Sequence, residues 1–140
     1  AVYPLIYRCK SPSILAVMLQ PLRREELPTS ADAIRARLTE FQFNSSFLRE
    51  MRNITLAKEA IAARWLPLGS LERRLGRLDF HLIETEDLLT RLSIEKTLNA
   101  DLDFLLKLKD EGRTRADAWL AGNFHHVGRR STIDLTGLFC

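Results

Sequence analysis

A chain of 140 residues that is 46% hydrophobic and 28% charged has the length and apolar content to bury roughly two thirds of its unfolded surface in one ordinary domain, which excludes extended disorder. Its 21 Lys and Arg against 18 Asp and Glu leave a formal charge of +3 with the signs interspersed, so the concentrated basic stripe of a nucleic-acid binder making on the order of 6 to 10 phosphate contacts is not seen. Three excess charges at roughly 1 kcal/mol each do not hold a protein on an anionic bilayer, and the longest apolar run, Ile14 to Leu19, is far short of the roughly 20 residues of a spanning helix.

In chain order, Ala1 to Tyr7 is apolar, and Pro4 fits the first turn of a helix whose start lies at or before residue 1. The chain is therefore expected to begin within an element; it lacks an initiator Met, and Arg8 and Lys10 break the order of a signal peptide. Ser13 to Gln20, closed by Pro21, reads as a strand buried on both faces, which requires neighbouring strands. Thr29 with Asp32 resembles an N-cap and its acidic partner, and Ile34, Leu38 and Phe41 follow at helical spacing, predicting a helix over residues 31–43. Asn44, Ser45 and Ser46 restart the capping chemistry for a second, longer helix with Phe47, Met51, Ile54, Ile61 and Trp65 on its core face, stopped by Pro67 and Gly69. Arg49, Arg52, Lys58 and Arg64 fall mostly on the other side, as a solvated face or one that meets a membrane surface.

Leu71 to Leu78 suggests a short helical turn broken at Gly76, and Leu78 to Leu82, extended by Ile83 and Glu84, alternates as a second strand. A short helix is expected over Glu86 to Leu92. Asn99 then caps a helix with Leu102, Leu105, Leu106 and Leu108 that ends at Gly112, and Thr114 with Asp117 opens another carrying Trp119, Leu120 and Phe124, with Gly128 just past its end. Packing these last two helices together would place Trp119 against the leucines. Ser131 to Cys140 reads as an extended tail. Cys9 and Cys140 have no metal-ligand spacing and are expected as free thiols.

Complete catalytic chemistry is not visible. The six glycines form neither the Gly-x-Ser-x-Gly turn that presents a nucleophilic serine nor the clustered loop that cradles phosphate. Adjacent His125 and His126 point about 100 degrees apart on a helix and have no companion ligand motif, so a surface or helix-end role is expected. His81 is expected to be solvent-side or hydrogen-bonded. The pairs Asp101/Asp103 and Glu86/Asp87 look like first-turn residues, and the doublets Arg23-Arg24, Arg73-Arg74 and Arg129-Arg130 read as solubilising or ion-paired surface. No cofactor or metal is implied.

Longer strings carry a resemblance. Ala1-Val-Tyr-Pro-Leu-Ile-Tyr-Arg-Cys9 and Ile14-Leu-Ala-Val-Met-Leu-Gln-Pro21-Leu-Arg-Arg24-Glu-Glu-Leu-Pro28-Thr29 resemble the stretch just after the catalytic aspartate of bacterial patatin-like phospholipases. Phe43-Asn-Ser-Ser-Phe-Leu-Arg-Glu-Met-Arg52, Lys96-Thr-Leu-Asn99, Ala116-Asp-Ala-Trp119-Leu and Arg130-Ser-Thr-Ile-Asp-Leu135 resemble the helical C-terminal region that a subset of that family appends. The resemblance implies a serine and aspartate dyad on an α/β sheet that hydrolyses acyl esters of lipids without a metal. The serine motif, the Asp-Gly motif and the glycine-rich oxyanion loop are absent here and by family order would precede Ala1, so no catalytic residue is carried over.

The reading is thus a predominantly helical α/β fragment: residues 1–24 as the end of a patatin-like catalytic core, residues 25–140 as a helical region with one further strand. Its expected partners are the upstream catalytic part and, through it, a lipid or acyl-ester substrate. Arg49, Arg52, Lys58 and Arg64 are the membrane-facing candidates on a cytoplasmic protein peripheral to the membrane, and nucleic acid is not expected. The alternative is a non-enzymatic helical module that docks on a protein or membrane surface.

Overall fold

A computed structural model describes residues 1–19, 21–22, 27–64, 69–84 and 101–140. The helix expected over Glu86 to Leu92, the Asn99 cap, the Lys96 to Asn99 string, the Arg23-Arg24 doublet, Trp65 and Pro67 lie outside them. The described part is mostly helical, with one two-stranded parallel sheet.

Helix α1, Tyr3–Arg8, has Pro4 in its first turn, where the missing N–H costs nothing. Its start is capped from far along the chain: the Glu50 carboxylate accepts from the Val2 and Tyr3 N–H groups. Strand β1, Ser13–Val17, follows. Helix α2, Ala31–Ala62, then runs 32 residues without a break, so two expected helices are one. Between Ala31 and Ala62 there is neither Gly nor Pro, and the supposed restart signals are spent otherwise. Asn44 is buried with its Nδ2 donating to the Pro21 carbonyl at 3.3 Å, and Ser45 Oγ donates to Gln42 O at 3.0 Å. The start at residue 31 is as expected, but its cap is Ser30, not Thr29: Ser30 Oγ accepts from Ala33 N–H at 3.2 Å.

Helix α3, Ser70–Gly76, starts with the Gly69 N–H donating to Glu72 Oε2 at 2.7 Å. It leads into strand β2, Asp79–Ile83, which pairs in parallel with β1, Ile14 opposite Phe80 and Ala16 opposite Leu82. The crossover between the parallel strands is thus carried by α2 and α3. Beyond lie α4, Leu102–Asn123, a 3-10 turn at Phe124–His126, and α5, Leu135–Phe139. Two further corrections arise here. Helix α4 passes straight through Gly112, a residue that costs only about 1 kcal/mol in a helix interior, and the expected extended tail contains α5. The turn after α4 needs its glycine: Gly128 has φ +76°, and its N–H donates to Ser13 Oγ at 2.8 Å.

The core lies on one face of the sheet. Ile14, Phe80 and Leu78 pack with Val2 and Ile6 of α1, Met51 and Ile54 of α2, and Leu135 and Phe139 of α5. Phe47 meets Phe139 edge-on at 6.1 Å between ring centres. Residues on both sides of the expected boundary at residue 24 share this core. The apolar face expected for the first half of α2 is exposed instead, with Ile34, Leu38 and Phe41 each about half accessible.

Strand β1 does not match its expectation of burial on both faces. Among the described residues it is an edge strand of a two-stranded sheet, and Leu15 and Val17 are 48% and 57% exposed. On the same face of β2, His81 is only 1% exposed, with Trp119 of α4 and Thr132 packed against its ring. The segment at Ser131 and Thr132 also binds the far edge of β2: Thr132 N–H donates to Phe80 O at 3.1 Å, and Phe80 N–H to Ser131 Oγ at 3.0 Å.

Candidate functional site

The four cations expected to share a face do not share one. With 100 degrees between residues, Arg49 and Arg52 fall about 60 degrees apart, Lys58 lies opposite, in line with Met51 and Ile54, and Arg64 lies beyond the end of α2 at Ala62. Arg49 and Arg52 are exposed. Arg64 Nη1 is 2.9 Å from Glu72 Oε1, an exposed ion pair of small energetic weight.

Lys58 turns inward and gathers three carbonyls. Its Nζ donates to Leu75 O and Gly76 O at 3.1 Å each and to Leu78 O at 2.8 Å. These groups close the C-terminal end of α3, where unpaired carbonyls and the helix dipole both favour a cation. Burial pushes the ammonium pKa down from 10.5, while the Asp79 carboxylate raises it. A groove of about 500 Å³ beside it is lined by Lys58, Glu59, Gly76, Leu135 and Thr136, but the amine is already occupied as a helix-end clamp. That role, not a nucleophile or a membrane contact, is what its geometry supports.

His81 is the one buried histidine among the described residues. Its Nδ1 is 3.0 Å from Thr132 Oγ1, and its ring meets Trp119 edge-on at 5.8 Å. A hydroxyl beside an imidazole resembles the nucleophile and base of a hydrolase, but that arrangement needs a third group to orient the ring. Nε2 of His81 is buried without a partner, and Thr132 Oγ1 belongs to the segment that seals β2. The pair is a structural latch. Trp119 is correspondingly not the bridge between two helices that its sequence context suggested: it sits on the same helix as Leu102, Leu105 and Leu106 and packs on β2 through His81.

The latch has a pH consequence. Burial lowers the His81 pKa from 6.5, and Asp79 opposes this more weakly. The unfolded chain then binds the proton more readily than the native one, so this contribution to stability is complete above about pH 6.5 and is lost as the pH falls toward the depressed native value. Denaturation midpoints followed from about pH 7.5 down to about 5.5 should fall in the wild type and fall less steeply in His81→Gln. Identical slopes would remove His81 as the cause.

His125 is exposed and His126 half-buried in the turn after α4, where Arg130 Nε donates to His126 Nδ1 at 3.0 Å. Desolvation first, then the Arg130 charge, lowers the His126 pKa. Among the described residues no cluster of three or more His, Cys, Asp or Glu could hold a metal, and both cysteines are free and exposed.

Sequence reasoning missed one constellation. Lys10, Arg73, Arg74 and Arg77 converge on a second cavity, of about 420 Å³, between the turn after α1 and α3. The arginine doublet signalled charge, but only the fold brings Lys10 to it. Among the described residues no helix is long and apolar enough to cross a membrane. No family model matches the chain, and neither a curated protein nor a solved structure matches it.

Proposed function

We propose that the chain is the C-terminal part of a patatin-like serine acyl hydrolase, a phospholipase or lipid esterase whose catalytic Ser and Asp lie upstream. The observation that carries this reading beyond the resemblance is the open side of β1. Parallel strands occur almost only in sheets covered on both faces, yet Leu15 and Val17 are exposed and β1 has a strand partner on one edge only among the described residues. Further strands of an α/β layer beside β1, with helices over Leu15 and Val17, would satisfy both. In such an enzyme the upstream serine attacks the ester carbonyl, the aspartate assists proton transfer and backbone N–H groups hold the oxyanion. This chain would supply an edge of the sheet and the helical layer behind it. Arg49 and Arg52, at roughly 1 kcal/mol each near an anionic surface, would contribute modestly to membrane contact.

A second reading, a helical module that docks on another protein or on a membrane surface, is favoured by α4, where Leu102, Leu105, Leu106 and Leu120 are 40–66% exposed. Activity separates the two. The 140-residue chain should show no turnover of short-chain nitrophenyl esters, whereas the protein extended through an upstream serine motif should hydrolyse them and lose that activity when the serine becomes alanine. Turnover by the 140-residue chain above a heat-treated control, or an inert extended protein, would overturn the hydrolase reading.

A further inference from the structure

The cavity between the turn at residues 10–12 and α3 has a charge pattern that the other described residues do not explain. Its walls include Lys10, Ser70, Arg73, Arg74, Arg77 and Leu78, and among the described residues no carboxylate lines it. Like charges held around one opening repel one another, so arginines so placed are normally neutralised by neighbouring acids. Here the acid on α3 is already engaged: Glu72 takes Arg64 through Oε1 and the Gly69 N–H through Oε2. None of the four cations has an ion-pair partner among the described residues. Moreover, Nη2 of Arg74 is buried with no acceptor, so its charge is not neutralised on the protein side of the wall either. A volume of about 420 Å³ falls within the range of about 300–1,000 Å³ usual for small-molecule sites and is well above the roughly 30 Å³ of one water.

We propose that this cavity binds a phosphate-type oxyanion, with the Arg73, Arg74, Arg77 and Lys10 side chains around it supplying the positive field, and the Ser70 hydroxyl as a neutral donor. Guanidinium groups suit a phosphate because two N–H groups can meet two oxygens at once. The spare volume accommodates the group esterified to the phosphate, so the ligand is a phosphate ester, either a soluble one or the headgroup of a lipid. The assignment stands apart from the acyl-hydrolase reading, since phosphate binding reports on it without any turnover.

Titrating the protein with inorganic phosphate, at ionic strength held constant with sodium chloride, should give saturable amide shifts at Lys10, Ser70, Arg73, Arg74 and Arg77. The double variant Arg74→Gln/Arg77→Gln should weaken binding by about tenfold or more, while Arg49→Gln/Arg52→Gln, which removes the same charge elsewhere, should leave it within about twofold. Should the first variant fail to fold, Lys10→Gln/Arg73→Gln changes two exposed side chains of the same cavity and should give a comparable loss. Sedimentation with vesicles of phosphatidic acid in phosphatidylcholine, against phosphatidylcholine alone, separates the sources: recruitment that phosphate competes away assigns a lipid headgroup, and phosphate binding without recruitment assigns a soluble ester. Shifts that do not saturate, or equal losses in the cavity and control variants, would overturn the site.

Discussion

Replacing Phe80 with alanine should lower the free energy of unfolding by about 3 to 5 kcal/mol, a third or more of the roughly 5–15 kcal/mol that holds a typical domain together. Phe80 is 2% exposed at the centre of the sheet, pairs in register with Ile14, and belongs to the cluster that joins α1, α2 and α5. Removing its ring opens a cavity in this cluster, and the surrounding backbone, tied to Ser131 and Thr132 on one side, has little freedom to close the gap. Leu38→Ala is the matched control. Sequence periodicity places Leu38 on a core face, yet it is 55% exposed, so its loss should stay within about 0.5 kcal/mol. Urea denaturation of both variants reads the difference through the midpoint. Equal midpoints would mean that the sheet does not organise the core.

Lys58→Met should cost about 2 to 4 kcal/mol, although it puts an apolar side chain of similar length on an apolar line of α2. The wild-type ammonium satisfies the carbonyls of Leu75, Gly76 and Leu78 together. Hydrogen bonds to a charged group are worth about 1.5–3 kcal/mol each, with the loss reduced wherever water can replace the donor. The bonds to Leu75 O and Leu78 O are partly buried and the one to Gly76 O is exposed, so water replaces the donor least readily at the first two. The effect should centre on α3 and the start of β2, with faster amide exchange there than in α4. Arg52→Met, on the exposed side of the same helix, should change the midpoint little. If the two variants matched, Lys58 would be a solvated cation after all, and the four-residue basic face would stand.

Much of the local structure was legible in the sequence, and the misreadings share one cause. Alternation over Leu78 to Ile83 marked β2, Pro4 marked the first turn of α1, and the apolar spacing of Phe47, Met51 and Ile54 marked the buried line of α2. Capping residues misled where tertiary partners claimed their side chains. Asn44 reads as a helix start because its amide competes with the backbone, but the Pro21 carbonyl, brought close only by the fold, takes that amide. The α1 cap is the same case in reverse: no nearby residue announces it, because Glu50 supplies it from α2.

The sequence by itself determined that the chain folds, that it is predominantly helical with two short strands, and that a complete serine-hydrolase elbow is not written in its glycines. Composition, periodicity of 2 or 3.6 and motif spacing are local properties, and they suffice for such conclusions. Tertiary structure alone decided which charges are free. Lys58 and Arg52 lie six positions apart on one helix, yet one clamps α3 and the other faces solvent. Lys10 and Arg74, 64 positions apart by subtraction of their numbers, meet at one cavity. The free energy of a charge depends on its distance to other charges and to water, and chain order sets neither once a crossover of two helices lies between the parallel strands.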